Sequence, residues 1–332
     1  MPDALILLVT VVVLAVIFDF INGFHDTANA IATVVATRVM TPFQAIFMAA
    51  GPNFLGAITG TAVAKTIGAG LVDASTITQE AVIAALLAAI TWNLITWYFG
   101  IPSSSSHALI GGVIGAAIAQ AGLSAPKYDM ILSKVVLPFL LSPLAGFFGA
   151  LVFMILLLRT VGSHTPAWIQ AIFGRLQAFS SAFMAYSHGG NDAQKTMGVI
   201  TLALVTYGAQ TTFEVPLWVI LTAGIAMALG TASGGWRIIR TMGTRLAELQ
   251  PIHGFAAETT AGLVIEIASR FGYPLSTTHV ISSCILGVGA SRRLRAVRWS
   301  IAGSIVTAWI ITIPTCAALA WVLYRAVDLV LR

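Results

Sequence analysis

The chain has 332 residues, of which 58% are hydrophobic and only 9% charged, and its mean hydropathy is +0.92. Soluble domains carry roughly 25% charged residues, so the composition excludes a globular soluble enzyme and defines a polytopic membrane protein. The net charge of +5 reads as Lys and Arg held in cytoplasmic loops under the positive-inside rule, not as affinity for nucleic acid. The densest cluster is Arg292, Arg293, Arg295 and Arg298.

Apolar runs of about 20 residues recur, enough to cross a hydrocarbon layer of roughly 30 Å. They lack the alternation of a β-barrel. The N-terminus starts with a long apolar stretch that has neither a basic leader nor a small-residue cleavage site, so it is expected to stay as the first helix. Leu5 to Ile21 is the first span, carrying Asp19 and running into Asn22 and the motif Gly23-Phe24-His25-Asp26-Thr27-Ala28-Asn29-Ala30. The apolar remainder, Ile31 to Val39, is too short to cross alone, which predicts a helix break at Asp26. Ala45 to Val63 is the next span, ending near Lys65-Thr66-Ile67-Gly68, and residues 73–80 form a polar connection. Ala81 to Phe99 spans with Asn93 inside it.

Gly100-Ile101-Pro102-Ser103-Ser104-Ser105-Ser106-His107 follows. Proline forces a break there, and serines are good N-caps for a following helix. The apolar stretch from Ala108 to Ala121 is short for a span and fits a re-entrant half-helix. Lys127 to Lys134 reads as a loop, Val135 to Leu158 as a span, and Arg159 to Arg175 as an interfacial segment at the midpoint of the chain.

The second half replays the first. Leu176 to Tyr186 leads into His188-Gly189-Gly190-Asn191-Asp192-Ala193-Gln194-Lys195, with a second break expected at Asp192. Leu217 to Thr231 spans, and Arg240-Thr241-Met242-Gly243 matches the block at Lys65. Phe255 to Phe271 spans with Glu258 and Glu266. Gly272-Tyr273-Pro274-Leu275-Ser276-Thr277-Thr278-His279 then copies the 100–107 segment, a short apolar stretch runs to Ala290, and Ile301 to Leu323 is the last span before the tail ending at Arg332. The Asp motifs stand 166 residues apart and the Pro-Ser-His motifs 172 apart. Four landmarks recurring in order make an internal duplication, with repeats over 1–160 and 161–332. Interrupted hydrophobic segments at matching places of two halves point to the midplane site of a secondary transporter.

The chemistry follows from the residue types. Free N–H groups and the positive dipole end at a helix start attract anions. The hydroxyls of Ser104, Ser105, Ser106, Ser276, Thr277 and Thr278 add neutral donors, so two facing tips would cradle a small tetrahedral oxyanion. The blander reading is capping and packing of membrane helices. Asp26 and Asp192 are carboxylates at membrane depth, which must be paired, protonated or bound to a cation. Asn22, Asn29 and Asn191 supply hard oxygen ligands, so sodium at Asp26, Asn29 and Asp192 is one option and a proton the other. A structural salt bridge of Asp192 with Lys195 is the competing reading.

His25, His107, His188 and His279 suit a proton relay, although a lone histidine is more often a polar residue satisfied by a backbone carbonyl. That structural role, locking the half-helix, is the reading for His107 and His279. Glu258, at the head of a long span, is a stronger candidate than Glu266. Lys65 and Arg240 read as snorkelling cations, and Cys284 and Cys316 as buried small hydrophobes with no disulfide framework. The sequence calls for no cofactor.

These motifs, taken with Ser187-His188-Gly189-Gly190-Asn191-Asp192 and both Pro-x-Ser-Ser/Thr-Ser/Thr-His blocks, resemble the PiT family of inorganic phosphate transporters over nearly the whole chain. The resemblance implies an all-α membrane fold of two inverted-topology repeats with about 10–12 membrane segments. Hairpin tips would hold phosphate, and the Asp/Asn motifs would hold the coupling ion. Sodium-coupled relatives typically carry Asn-Asp-x-Ala-Asn in both copies. Here His25 replaces the leading Asn, and Gln194-Lys195 replaces Ala-Asn, which looks like the proton-coupled, low-affinity bacterial branch that also tends to accept metal–phosphate complexes.

The resulting expectation is a proton–phosphate symporter in the inner (plasma) membrane, with Asn22, His25, Asp26, Asn29, Asn191, Asp192, Lys195 and Glu258 serving the coupling ion. Sodium coupling and sulfate transport are the alternatives. Its partners are phosphate, protons or sodium ions and the bilayer, with a homodimer as one possible assembly. An intramembrane Ser-His hydrolase is disfavoured, since no GxSxG-type elbow is present. A passive channel is disfavoured by the buried acids.

Overall fold

The computed structural model describes residues 2–73, 76–293, 295 and 297–331. Among them the chain is helical apart from two isolated β-bridges. The first half begins with α1 (Pro2–Ala36), then α2 (Pro42–Ala57) and α3 (Ala62–Gly70), bent by 67° across a short break. It continues with α4 (Gln79–Phe99), the short α5 (Ser105–Ala121), and α6 (Tyr128–Ile131), which runs through a π-helical turn, Leu132–Val136, into α7 (Leu137–Val161). The second half repeats that order. It has α8 (Pro166–Tyr207), then α9 (Leu217–Ser233) bent by 61° onto α10 (Trp236–Arg240) and its π-helical extension Thr241–Arg245. After these come α11 (Pro251–Arg270), the short α12 (Thr277–Arg292) and α13 (Trp299–Leu331).

Among the described residues four helices are long and apolar enough to cross a membrane, Ala4–Ala36, Gln79–Phe99, Tyr128–Val161 and Trp299–Leu329, and the two bent pairs are each a broken span or a re-entrant loop. Helices α8 and α11 have the length as well, at 42 and 20 residues, but carry buried polar groups along it, among them His188, Asn191, Asp192 and Lys195 on α8 and His253 and Glu258 on α11. Exposed Leu5, Ile6, Val9 and Val13 of α1 and Phe148, Val152 and Leu156 of α7 form the apolar outer surface that lipid would cover.

The two halves exchange partners. Helix α1 packs on α9 while α8 packs on α2, and α5 packs on α4 and α13 while α12 packs on α11 and α7. Contacts that recur with the halves interchanged are the signature of two-fold pseudosymmetry. The bridges repeat it: Val72 pairs with Pro126 and Ala247 with Val297, reinforced by Lys127 N–H donating to Leu71 O at 2.9 Å and Arg298 N–H to Leu246 O at 3.1 Å.

Three sequence expectations change. There is no break at Asp26 or Asp192, because α1 and α8 run through both motifs. Neither motif contains proline, and their glycines serve close helix approach instead. A Cβ on Gly23 would stand 2.5 Å from Met227 O, and one on Gly189 would stand 2.0 Å from Asn53 O. The breaks fall instead between Ala57 and Ala62 and between Ser233 and Trp236. Residues 128–134, expected as loop, are helical and continue into α7.

Of the basic cluster, Arg293, Arg295 and Arg298 are exposed, while the Arg292 side chain lies outside the described residues, as does Arg332. Lys65 and Arg240 are exposed, Glu266 pairs with the exposed Arg270 at 2.9 Å, and both cysteines are buried and unpaired with each other. The Gly189 contact makes one test. Gly189→Ala should lower stability by about 1–3 kcal/mol through overpacking against α2, read as a lower thermal unfolding midpoint in detergent. Gly208→Ala, at a C-cap where nothing lies within 4 Å, strains only its positive φ and should cost less.

Candidate functional site

The two hairpins are built alike. Gly100 (φ +66°) and Gly272 (φ +73°) take the left-handed conformation that ends α4 and α11, a conformation glycine adopts without Cβ strain. Ile101 N–H then donates to Thr96 O, and Tyr273 N–H to Ala268 O, both at 2.9 Å. Pro102 and Pro274, with φ fixed by the ring, each sit at the centre of a tight turn in which Ser103 N–H donates to Ile101 O and Leu275 N–H to Tyr273 O, both at 2.9 Å. Ser104 and Ser276 are the N-caps of α5 and α12, accepting from the N–H of His107 at 3.1 Å and of His279 at 3.3 Å. The preceding N–H groups, of Ser105, Ser106, Thr277 and Thr278, stand at positions that have no intrahelical acceptor.

Each tip is anchored by the other half. Thr241 Oγ1 donates to Gly100 O at 2.9 Å, and Thr66 Oγ1 donates to Gly272 O at 2.7 Å. These are the threonines of the matched Lys65 and Arg240 blocks, so what the duplication preserves there is the hydroxyl as well as the cation. Behind the tips, His107 and His279 meet edge to face with ring centroids 4.4 Å apart. Phe139 lies against His107 and Trp309 against His279. The two histidines thus pack ring to ring between the half-helices, and His107 Nδ1 and Nε2 and His279 Nε2 have no hydrogen-bond partner among the described residues.

Five polar residues of α1 stand at positions 19, 22, 26, 29 and 33. That spacing puts Asp19, Asn22, Asp26, Asn29 and Thr33 on one face, and all five are buried. Of these, Asp26 and Asn29 meet the tips. Ser105 Oγ lies 3.4 Å from Asp26 Oδ2, and Thr277 Oγ1 lies 3.2 Å from Asp192 Oδ2. The crossing contacts also come in pairs. Asn29 Nδ2 donates to Thr277 and Thr278 hydroxyls at 3.1 and 3.0 Å, while the Lys195 ammonium donates to Ser106 Oγ, to Leu275 O at 2.9 Å and to Asp192 Oδ1. Lys195 is 1% exposed, and with these three acceptors its donors are fully used.

His25 and Asn191 are counterparts in sequence and behave so in space. His25 Nε2 lies 3.1 Å from Thr96 Oγ1 at the end of α4, and Asn191 Nδ2 donates to Ser269 Oγ and Tyr273 O at 2.8 and 3.1 Å. His25 differs in also placing Nδ1 2.6 Å from Asp26 Oδ1. His188 Nδ1 lies 2.9 Å from Asn53 Oδ1, and its Nε2 lies 3.3 Å from Asp192.

Asp26, His188 and Asp192 thus bring ligand-type atoms within 4.8 Å of one another, and the Lys195 ammonium already supplies positive charge at Asp192. The competing reading, a salt bridge of Asp192 with Lys195, is therefore present in the structure. Asn22 reaches none of these groups: both of its amide atoms lack a hydrogen-bond partner among the described residues. Glu258 stands apart as well, held by Thr33 and Ser180 hydroxyls and by Gln177 Nε2 at 3.2 Å.

Two features lie beyond the sequence reading. Nothing at the place of Asp19 in the second half repeats it, although its spacing to Asp26 marks the shared face. Glu258's partner Gln177 lies before the second motif and carries no signal of its own. A cavity of about 250 Å³ lined by Gly60, Gly190, Gln194, Glu266 and Arg270 reaches α8 beside the site.

Two hydroxyl-rich helix starts, supported crosswise by two polar helices and lined by buried acids, define a membrane carrier for a small oxyanion. The sequence profile of the phosphate transporter family matches residues 22–320. A "Probable low-affinity inorganic phosphate transporter" of Rhizobium meliloti (strain 1021) is 47% identical, covering 98% of this chain and 97% of the relative. One of the same description from Bacillus subtilis (strain 168) is also 47% identical, covering 99% and 100%. The solved structure of "The sodium-dependent phosphate transporter" superposes with a TM-score of 0.88 at 25% identity, covering 97% of this chain and 99% of that one. The chain belongs to the phosphate transporter family: it is a multi-pass membrane transporter of inorganic phosphate, as its resemblance to PiT proteins implied.

Proposed function

We propose that the protein imports phosphate across the cell's inner (plasma) membrane by symport with protons, binding the anion between the α5 and α12 tips at Ser104, Ser105, Ser106, Ser276, Thr277 and Thr278. The carrying observation is Lys195, a buried ammonium that joins Asp192 to both tips. It occupies the ground that an asparagine and a sodium ion would share in the sodium-coupled pattern. Lys195 already offsets Asp192, whereas Asp26 would repel phosphate unless positive charge arrives with it, so the loaded site, compensated and cheap to occlude, is the one that the two repeats, 1–160 and 161–332, rock across the membrane. Carboxylates also accept a hydrogen bond from the O–H of monohydrogen phosphate, a donor that sulfate lacks.

Uptake by proteoliposomes against imposed gradients tests this. The expected result is full activity in sodium-free medium and collapse on adding a protonophore. Uptake that follows sodium and ignores the pH gradient would establish the other reading, which rests on the name of the superposed structure. Competition by unlabelled sulfate tests the anion.

The tips carry a separate prediction. Ser105→Ala and Thr277→Ala each remove one hydroxyl facing an aspartate, and should raise the KM for phosphate about tenfold, the worth of one charge-assisted hydrogen bond, while leaving the ion dependence unchanged. A shift in ion dependence at unaltered KM would remove these residues from the phosphate cradle.

A further inference from the structure

Asp19 is a buried acid that the phosphate cradle does not use. It lies two helical turns before Asp26 on the polar face of α1, with no exposed surface, and Thr196, Asp192 and Lys195 of α8 are the groups around it. Thr196 is within reach, yet neither carboxylate oxygen of Asp19 makes a hydrogen bond of normal geometry, and the Thr196 hydroxyl and both amide atoms of Asn22 share that condition. Helix α4 adds another such group. Where His25 meets Thr96, three residues earlier on each helix stand Asn22 and Asn93, and both amide atoms of Asn93 also lack partners among the described residues. Buried polar atoms are nearly always satisfied, by water where protein does not serve. Asp19, Asn22, Asn93 and Thr196 are thus buried polar groups without partners among the described residues, carried by the mutually packed helices α1, α4 and α8.

The other two acids are committed. Asp192 is the counter-ion of Lys195, and Asp26 faces Ser105 and Thr278 and is bonded to His25. Asp19 touches no tip hydroxyl. A carboxylate at this depth needs a proton or a cation, and the ammonium beside it, that of Lys195, already has three acceptors. Of the titratable groups on α8, which are Arg175, Tyr186, His188, Asp192, Lys195 and Tyr207, those acting on Asp19 are Asp192 and Lys195, and further along α1 stand His25 and Asp26. Helix α9 carries none, and α4 only Glu80 and Tyr98 near its ends.

We propose that Asp19, distinct from the phosphate cradle, is the group that takes up and releases the coupled proton. An O–H bond forms on one carboxylate oxygen from a water-borne proton on one side of the membrane and breaks on the other. No other bond changes. This inference rests on the proton-coupled reading.

Proteoliposomes carrying wild type or Asp19→Asn separate the two. Two rates are measured: accumulation of radiolabelled phosphate driven by an inward proton gradient, and exchange of internal for external phosphate at equal pH, which moves no net protons. Asp19→Asn should lose the driven accumulation, down to protein-free vesicles, and keep the exchange. Wild-type accumulation that needs sodium and ignores the proton gradient overturns the coupling reading itself. Driven accumulation retained in Asp19→Asn beside a proton-driven wild type overturns the assignment alone. Loss of exchange together with accumulation, at an unchanged unfolding midpoint, overturns it too, by placing Asp19 in the phosphate site. Should Asp19→Asn not fold, Asp19→Ser, with a smaller polar side chain, is judged by the same two rates.

Discussion

Asp192→Asn is expected to abolish phosphate uptake and to destabilise the protein, whereas Asp26→Asn is expected to abolish uptake while leaving stability nearly unchanged. The two acids are equivalent by position in the duplication, and the difference lies in their neighbours. Asp192 is ion-paired to the buried ammonium of Lys195. Removing one partner of a buried pair leaves an uncompensated charge in low dielectric and costs about 3–5 kcal/mol. At the matching place in the first half stands Asn29, which bonds to the Thr277 and Thr278 hydroxyls and carries no charge. Asp26 loses only its contacts with His25, Ser105 and Thr278 when amidated.

Thermal unfolding in detergent reads the stability, and proteoliposome uptake reads the transport. Combining Asp192→Asn with Lys195→Gln removes both charges and should recover most of the lost stability without recovering uptake, a coupling that a double-mutant cycle measures directly. Near-normal accumulation in both single variants would refute the assignment of these acids to the coupling site. Equal unfolding midpoints for the two would refute the asymmetry.

That asymmetry is only half legible in the sequence. Paired motifs at fixed offsets disclose which residues meet, because a carboxylate or a Pro-Ser-Ser block in a hydrocarbon run is too costly to persist in two copies without a shared site to serve. The direction of Lys195 is not disclosed, since a lysine near a membrane helix end and one inside a site look the same without the fold. The helix breaks are misplaced by sequence for a related reason. Glycine in a membrane helix can mark a break or a close approach, and Gly23 and Gly189 admit the backbones of α9 and α2. The actual breaks follow Ala57 and Ser233, where Gly60 and Gly234 stand among small polar residues. Asp19 is visible as a letter but has no duplicate to draw attention. What singles it out is its place beside α8, which periodicity along α1 alone cannot supply. The exchanged packing of α1 with α9 and α2 with α8 likewise depends on contacts between halves that no local pattern encodes.

Lys195→Asn should convert the transporter toward sodium dependence. The substitution places at position 195 the residue type that already stands 166 positions earlier at Asn29. It removes the ammonium that compensates Asp192 and opens the space beside its carboxylate to an external cation. Asp192, His188 and Asp26 bring their donor atoms within 4.8 Å, and a side-chain carbonyl from the new amide would add a hard oxygen ligand of the kind sodium accepts.

In sodium-free medium the variant should fail to accumulate phosphate, since nothing fixed or bound then offsets Asp192. Added sodium should restore part of the uptake. The same ion should stabilise the folded variant by about 2.7 kcal/mol at a hundredfold excess over its Kd, seen as a rising unfolding midpoint that potassium does not reproduce and that wild type does not show. The two readouts guard each other. A stability response without uptake would mean that the ion binds but the proton route through the site still sets coupling. Wild-type activity of Lys195→Asn in the absence of sodium would mean that the ammonium is dispensable, and with it the reason to read this chain as proton-driven.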